Sequence, residues 1–438
     1  TGGGTTTGGF GGSTSGGTSS TSGTAGSPAQ VGPGVSTTEI LVGRTRGTNS
    51  EAANKAFGNS VSPAPEDQYD KAMVDYINSH GGVAGRKIKL NYYTVDYTAN
   101  KSAEQIQSEQ CAQWTQDNKV FAVLTGSQDQ LRGCLAKKGV PQVYENVFSN
   151  SDGQTFDTFR SYYEINGISL SNLGTALPAQ LAQGGYFKRG AKYGLLAFDG
   201  NPVQRAVSKQ LEPALASFGV KLDQKAYVKT PQTASEQGDS IASLPGFVLA
   251  MKNAGVDHII IFGDGGGALL AYFSRNAASQ GYHPAYGVTS ASAPQALIDT
   301  GNVDPDELKG AVTGGWNPSG DVGIRPYTKY GAGYQLCASI MAEAGVPFNG
   351  SSNNTVVGSK TCDAFFFFAA AVNRGAPDVT RDSFLRGAES LGTSYVSALT
   401  YSASIAAATR DGVSTLATSV YDGSCTCFTY KGDLRRIR

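Results

Sequence analysis

From Glu39 onward, apolar runs of strand length alternate with segments whose apolar residues recur every three or four positions. Tyr69, Ala72, Met73, Tyr76 and Ile77 share one helical face, and Gly81 and Gly82 end that helix. Glycine takes the left-handed conformation of a helix C-terminus without a side-chain penalty. Gly85 and Arg86 complete the turn, and Lys87 to Val95 reads as a strand. Further strands are expected at Ile40 to Val42, Val120 to Leu124 and Gln142 to Tyr144. A second series follows at Tyr193 to Phe198, Val220 to Val228, His258 to Phe262 and Ala285 to Val288. Helical segments between the strands mark parallel sheets built from βαβ units, so the fold class is α/β with two lobes.

Arg160 to Ile165, short and aromatic, lies between the two series and is expected to be a packed crossing strand, a hinge candidate. After Gly310 come a strand at Ala311 to Gly314, helices around Tyr334 to Ala344 and Asp363 to Arg374, and strand-like sequence from Ser397 to Tyr430. Phe365 to Phe368 reads as a helix buried between sheet and neighbour rather than as an aromatic ligand box. Thr1 to Thr37 differs from everything after it. It holds 13 Gly and 16 Ser or Thr, no charge and one aromatic, Phe10, and is expected to be a disordered tether.

Composition narrows the function. The 438 residues exceed what one core usually holds. Lys plus Arg equals Asp plus Glu at 35 each, which disfavours a nucleic-acid partner. The apolar run Ala364 to Val372 falls short of the roughly 20 residues of a membrane span. Six cysteines, Cys111, Cys134, Cys337, Cys362, Cys425 and Cys427, have spacings that suggest local disulfides, and the even count favours export with a signal peptide already removed. Cys425 and Cys427 are the awkward pair, because a Cys-x-Cys ring is small. With His80, His258 and His283 scattered, no metal-ligand spacing is present. The sequence also lacks G-x-S-x-G, H-E-x-x-H and G-K-[ST], so no catalytic constellation is supported.

The run Ile77 to Asp96, INSHGGVAGRKIKLNYYTVD, resembles the first helix, turn and second strand of the type I periplasmic solute-binding proteins of ABC importers, in the branched-chain amino-acid and amide group. That resemblance implies two Rossmann-like lobes joined by a multi-crossing hinge, a small-molecule solute and an ABC permease as partners, no enzymatic activity and no cofactor. It implies lobes of 38–163 plus about 325–395, and of 164–324 plus about 396–432, behind the tether of residues 1–37. It also raises a lipid anchor upstream of residue 1.

Parallel sheets bind ligands outside the carboxyl ends of their strands. On the first lobe the expected contacts are Arg44 after the first strand, Ser127 and Gln128 after the third, and Tyr144 and Asn146 at the fourth. In amino-acid-binding relatives the third exit receives the ligand carboxylate, so the resemblance gives Ser127 that role; a helix N-cap is the plainer alternative. On the second lobe the exits offer Asp199, Asn201, Asp264 and Thr289. Asp264 suits a ligand ammonium or a helix cap equally. Relatives that bind amino acids carry an aromatic and an acidic residue where this chain has Asn201-Pro202-Val203 and Thr289-Ser290, so an amide, a peptide fragment or an aromatic acid stays open. Two rival functions remain. Gly263, Gly265 and Ala268 fit a dinucleotide fingerprint but lack the acidic ribose partner about 20 residues on. A self-assembling surface protein would use the Gly/Thr segment for association.

Overall fold

The computed structural model describes residues 29–52, 63–99, 101–125, 129–145, 147, 151–230, 234–323, 331–349 and 352–437. The first lobe begins with β1 (Glu39–Thr48), α1 (Glu66–Ser79), β2 (Lys87–Asp96), α2 (Ala103–Ala112), β3 (Ala122–Leu124), α3 (Asp129–Lys137), β4 (Gln142–Tyr144), α4 (Gly153–Thr158) and β5 (Tyr162–Glu164). Its sheet runs β2-β1-β3-β4-β5, with every neighbouring pair parallel.

The second lobe follows with α5 (Leu170–Gly184), β6 (Tyr193–Phe198) and α6 (Asn201–Ala206), which runs through a π-helical turn into α7 (Glu212–Ala216). Then come β7 (Leu222–Val228), α8 (Ala234–Ala254), β8 (His258–Phe262), α9 (Ala268–Ser279), β9 (Ala285–Thr289), α10 (Pro294–Asp299), β10 (Val312–Gly315) and α11 (Pro318–Asp321). The chain returns to the first lobe with α12 (Ala332–Glu343), α13 (Ser352–Gly375) and α14 (Arg381–Glu389), and ends in β11 (Thr415–Asp422), β12 (Cys427–Tyr430) and β13 (Arg435–Arg436). In the second sheet, β7-β6-β8-β9-β10 are parallel, β11 and β12 add antiparallel, and β13 pairs β11.

The turn after α1 is built as its glycines demand. Gly82 has φ +72°, its N–H bonds Ile77 O at 2.9 Å, and a Cβ there would lie 2.1 Å from Arg86 O. Any side chain would break the turn that sets β2 against β1. The Phe365 to Phe368 run lies in α13 with each ring at most 5% exposed, in one core with Ile40, Val42 and Phe121. At about 1.5–3 kcal/mol per buried Phe, this helix is a main source of the lobe's stability. Among the described residues it is the one helix long and apolar enough to cross a membrane, but 78% of that window is buried within the protein.

Three disulfides are formed: Cys111–Cys134 between α2 and α3, Cys337–Cys362 between α12 and α13, and Cys425–Cys427 beyond β11. The structure differs from the sequence expectation in three places. β5 is the edge strand of the first sheet, and the crossing itself is the buried stretch Ile165 to Ser169. Residues 397–414 form no regular strand; Ala398, Ala403 and Ile405 pack into the first lobe's core, which fixes this stretch by side-chain contacts instead of a ladder. The end of the Gly/Ser/Thr segment is docked. Gly32 N–H bonds Val379 O at 2.8 Å, Val31 bridges Val379, and Leu41 N–H bonds Gly34 O at 2.7 Å.

Two of the crossings meet at one carboxylate. Asp363 on α13, fully buried, accepts from Asn166 Nδ2 on the first crossing and from Ser397 Oγ (2.6 Å), Ala398 N–H (2.5 Å) and Leu399 N–H (3.2 Å) on the third. Trp316 Nε1–H, directly after β10 in the second lobe, bonds Asn166 O at 3.1 Å and ties that lobe to the first crossing. Replacing Asp363 by Ala leaves these donors without acceptors in a dry site, each unmet group costing about 1–3 kcal/mol. The expected loss is about 3–5 kcal/mol in urea unfolding, with Asp363→Asn milder because one carbonyl acceptor survives.

Candidate functional site

The sheet orders locate the crevices. Strand order reverses between β1 and β3 in the first sheet and between β6 and β8 in the second, and the exits beside these points are where parallel sheets receive ligands.

On the first lobe, β1 pairs with β2 as far as Thr48, so Arg44 is not in an exit loop but within the strand. Its guanidinium turns inward. Nε meets Asp70 Oδ1 at 2.8 Å, Nη1 meets Glu145 Oε1 at 2.5 Å and Leu124 O at 2.9 Å, and the group lies 5.8 Å from the Phe365 ring centre. Burial opposes the Arg44 charge, but Asp70 and Glu145 outweigh it and raise its pKa. Arg44 therefore braces the exits of β3 and β4 from behind. Glu145 opens the exit loop expected after Tyr144, although sequence reasoning did not count it among the ligand contacts. Burial pushes its carboxyl up to about 7 against the pull of Arg44 and Lys360, and its Oε2 has no hydrogen-bond partner among the described residues. Tyr144 is buried with Phe156 and Tyr162 in an aromatic cluster. Ser127, Gln128 and Asn146 lie outside the described residues.

On the second lobe, Asp264 resolves to the cap. Its carboxylate accepts from Gly265 N–H (2.7 Å), Leu269 N–H (3.0 Å) and Leu270 N–H (3.4 Å) at the start of α9, and burial raises it to about 6 against these bonds. It is thereby committed to the helix terminus. Thr289 is likewise internal, its Oγ1 accepting from Ala291 N–H at 3.3 Å. The neighbouring Ser290 Oγ donates to Asp321 Oδ2 at 2.6 Å and accepts from Trp316 N–H at 2.5 Å. Asp199 and Asn201 are exposed at the β6 exit, and Gln204 Nε2 donates to Asp199 Oδ1 at 2.6 Å.

Asn201 borders a cleft of about 250 Å³ that lies between the lobes, with Arg132, Thr155 and Phe159 on the first side and Pro202 and Arg205 on the second. Arg205 makes a bidentate pair with Asp152 across the lobes, Nε to Oδ2 at 2.6 Å and Nη2 to Oδ1 at 3.1 Å. Asp152 also caps α4 through Thr155 N–H at 3.0 Å. Burial would raise its carboxyl, but Arg205 and Thr155 hold it below the usual range. Arg132 is buried over the rings of Tyr162 (4.8 Å) and Phe159 (5.2 Å), and its Nη1 donates to Ser151 Oγ at 3.0 Å. Ser151 in turn donates to Glu164 Oε1. Burial pushes Glu164 up to about 8 against Ser151, Tyr162 and Arg132, so it is mostly neutral at pH 7. Two guanidinium groups, Arg132 and Arg205, thus line the cleft, the second paired with Asp152. Sequence patterns gave no signal for Arg132, Asp152 or Arg205, because a cleft between lobes has no period. Among the described residues no group of three or more His, Cys, Asp or Glu is placed to hold a metal.

Two parallel α/β lobes, tied at one hinge and enclosing a polar cleft, define a two-lobe binding protein. The chain belongs to the periplasmic binding protein family, whose model matches residues 71–417. Among solved structures it is similar to a solute binding protein of an ABC transporter from Rhodopseudomonas palustris BisB5, in complex with 3,4-dihydroxy benzoic acid. The TM-score is 0.64 at 14% identity, over 91% of this chain and 98% of the other. A fatty acid ABC transporter substrate-binding protein from Thermomonospora curvata gives 0.62 at 16% identity, covering 93% and 95%. A substrate-binding protein from Desulfitobacterium hafniense in complex with Leu gives 0.58 at 14%, covering 90% and 99%. No curated protein sequence matches the chain significantly. The family resemblance and the fold class expected from sequence both hold.

The buried carboxyls have a consequence for stability. Glu145 and Asp321 are raised to about 7, Glu164 to about 8, and Asp264 and Asp363 to about 6, each chiefly by burial. Unfolded carboxyls titrate near 4, so between roughly pH 4 and pH 8 the native state holds more protons than the unfolded state. Their contribution is fully present below about pH 4 and is lost as pH rises through the native values. Thermal unfolding should therefore give a Tm several degrees higher at pH 5 than at pH 8.5. Glu164→Gln, which keeps the neutral form, should flatten the upper part of that decline.

Proposed function

We propose that this protein is the solute-binding receptor of an ABC importer and that its solute is a small organic acid. The two guanidinium groups that line the cleft, Arg132 and Arg205, are the observation that carries the choice of an acid. A carboxylate there gains charge-assisted hydrogen bonds in a partly dry site. The second wall offers little to an ammonium, since Asp264 is held by the α9 terminus. That favours a simple acid over an amino acid. The solutes named for the similar proteins, a dihydroxybenzoic acid, a fatty acid and Leu, all carry a carboxyl group. A cleft of about 250 Å³ suits the smaller of them, being near the lower end of ligand pockets, roughly 300 Å³. The receptor performs no reaction; it hands the solute to a membrane permease. The family implies an extracytoplasmic location, where three disulfides persist.

Native mass spectrometry of the purified protein tests for a retained solute, and thermal shift with paired acids and amides tests the class. An acid at a hundredfold excess over its Kd should stabilise the fold by about 2.7 kcal/mol. Arg205→Ala should weaken that acid about tenfold or more, equivalent to at least about 1.4 kcal/mol. Equal response to an acid and its amide would exclude the carboxylate reading.

A further inference from the structure

Cys425–Cys427 differs from the other two disulfides in what it holds. Cys111–Cys134 and Cys337–Cys362 each tie one helix to another, whereas Cys425–Cys427 spans two positions in sequence. The hairpin it closes is already fixed by backbone pairing of β11 with β12, from Ser419 with Tyr430 to Asp422 with Cys427. So short a ring also restrains the unfolded chain least. As a clip the bridge is redundant.

Its surroundings are those of a reactive pair. Cys425 is exposed, while Cys427 is buried beside Phe428. Cys427 sits so close to Gly323 that a Cβ on that glycine would lie 2.5 Å from the Cys427 Cβ. Between the cysteines, Thr426 is held at φ +53°. For a β-branched residue the left-handed region is a strained outlier, and such strain persists only where something enforces it. That strain sits inside the ring the bridge closes.

We infer that Cys425–Cys427 is a thiol–disulfide exchange site that accepts two electrons from an accessible dithiol. A thiolate of the dithiol attacks Cys425 Sγ, the exposed sulfur, and forms a mixed disulfide. The bond to Cys427 breaks, its electron pair stays on Cys427 Sγ, and that sulfur takes up a proton. The second thiolate of the dithiol then attacks its own mixed-disulfide sulfur, closes the reductant's disulfide and expels Cys425 Sγ, which is protonated in turn. The dithiol loses two electrons and two protons, and the protein pair gains them. Exposed and strained bridges are the labile ones, while those packed between helices resist reduction.

The test treats the full chain under native conditions with graded dithiothreitol, followed by acid quench, alkylation and peptide mass spectrometry. Cys425 and Cys427 should be labelled at a dithiothreitol concentration at least tenfold below that needed for either other pair, with circular dichroism unchanged. Glutathione should be trapped on Cys425 and not on Cys427. Thr426→Gly, which accepts a positive φ without penalty, should make the bridge several-fold harder to reduce while leaving the fold intact. Simultaneous reduction of all three pairs, trapping on Cys427, or a Thr426→Gly protein reduced as readily as the parent would each overturn the assignment.

Discussion

The arrangement of the two lobes depends on one buried carboxylate. Asp363 sits on α13, a long apolar helix in the first lobe's core, yet its acceptors serve residues on the connections to the second. A carboxylate out of water is costly unless its oxygens are met by donors. Here side-chain and backbone donors from two crossings meet it, and the indole of Trp316 ties the second lobe to the first of them through Asn166. Two separate connections between the lobes thus share one point, and a shift there strips donors from a charged group.

The third crossing adds a second restraint. Glu164 N–H bonds Arg410 O at 2.9 Å and Gly412 N–H bonds Glu164 O at 2.7 Å, so residues 410–412 continue the first sheet past its edge strand. This approach needs a glycine, since a Cβ at Gly412 would lie 1.9 Å from Ile165 O. The edge of the sheet is covered by the chain that forms the hinge. Hinge and sheet are one hydrogen-bonded unit, which explains why so much polar chemistry, Asp363, Glu164 and Asn166 among it, is buried here and not in a loop.

The sequence made the scaffold legible wherever a local rule governs it. Helix-period apolar residues and the glycines after Ile77 placed α1, its turn and β2, because those depend on neighbours within a few positions. Strands such as His258–Phe262 and Tyr193–Phe198 were readable for the same reason. Residues 397–414 were misread as strand because Ser, Ala and Thr alternate there, while their structure is set by Asp363 more than 30 positions earlier. The site was less legible still. Arg44 and Asp264 look like ligand contacts in one dimension, and in three their charges are consumed by Asp70 and Glu145 and by the α9 terminus. Arg132 and Arg205 look like ordinary helix surface and become a cleft only when α3 and α6 face one another.

That facing has a direct bearing on how a solute acts. A ligand shifts a two-state equilibrium only by the difference between its affinities for the two states. The Asp152–Arg205 pair bridges the lobes, and Asp152 is further fixed on both sides of it. Gly153 N–H bonds Ser171 Oγ on the second lobe at 3.1 Å, and Leu170 N–H bonds Ser151 O at 2.8 Å. Part of the attraction between lobes is therefore carried by the protein's own side chains. Under the proposed function, a solute carboxylate at Arg205 would add to this contact instead of creating the first one, and one guanidinium would carry both affinity and closure.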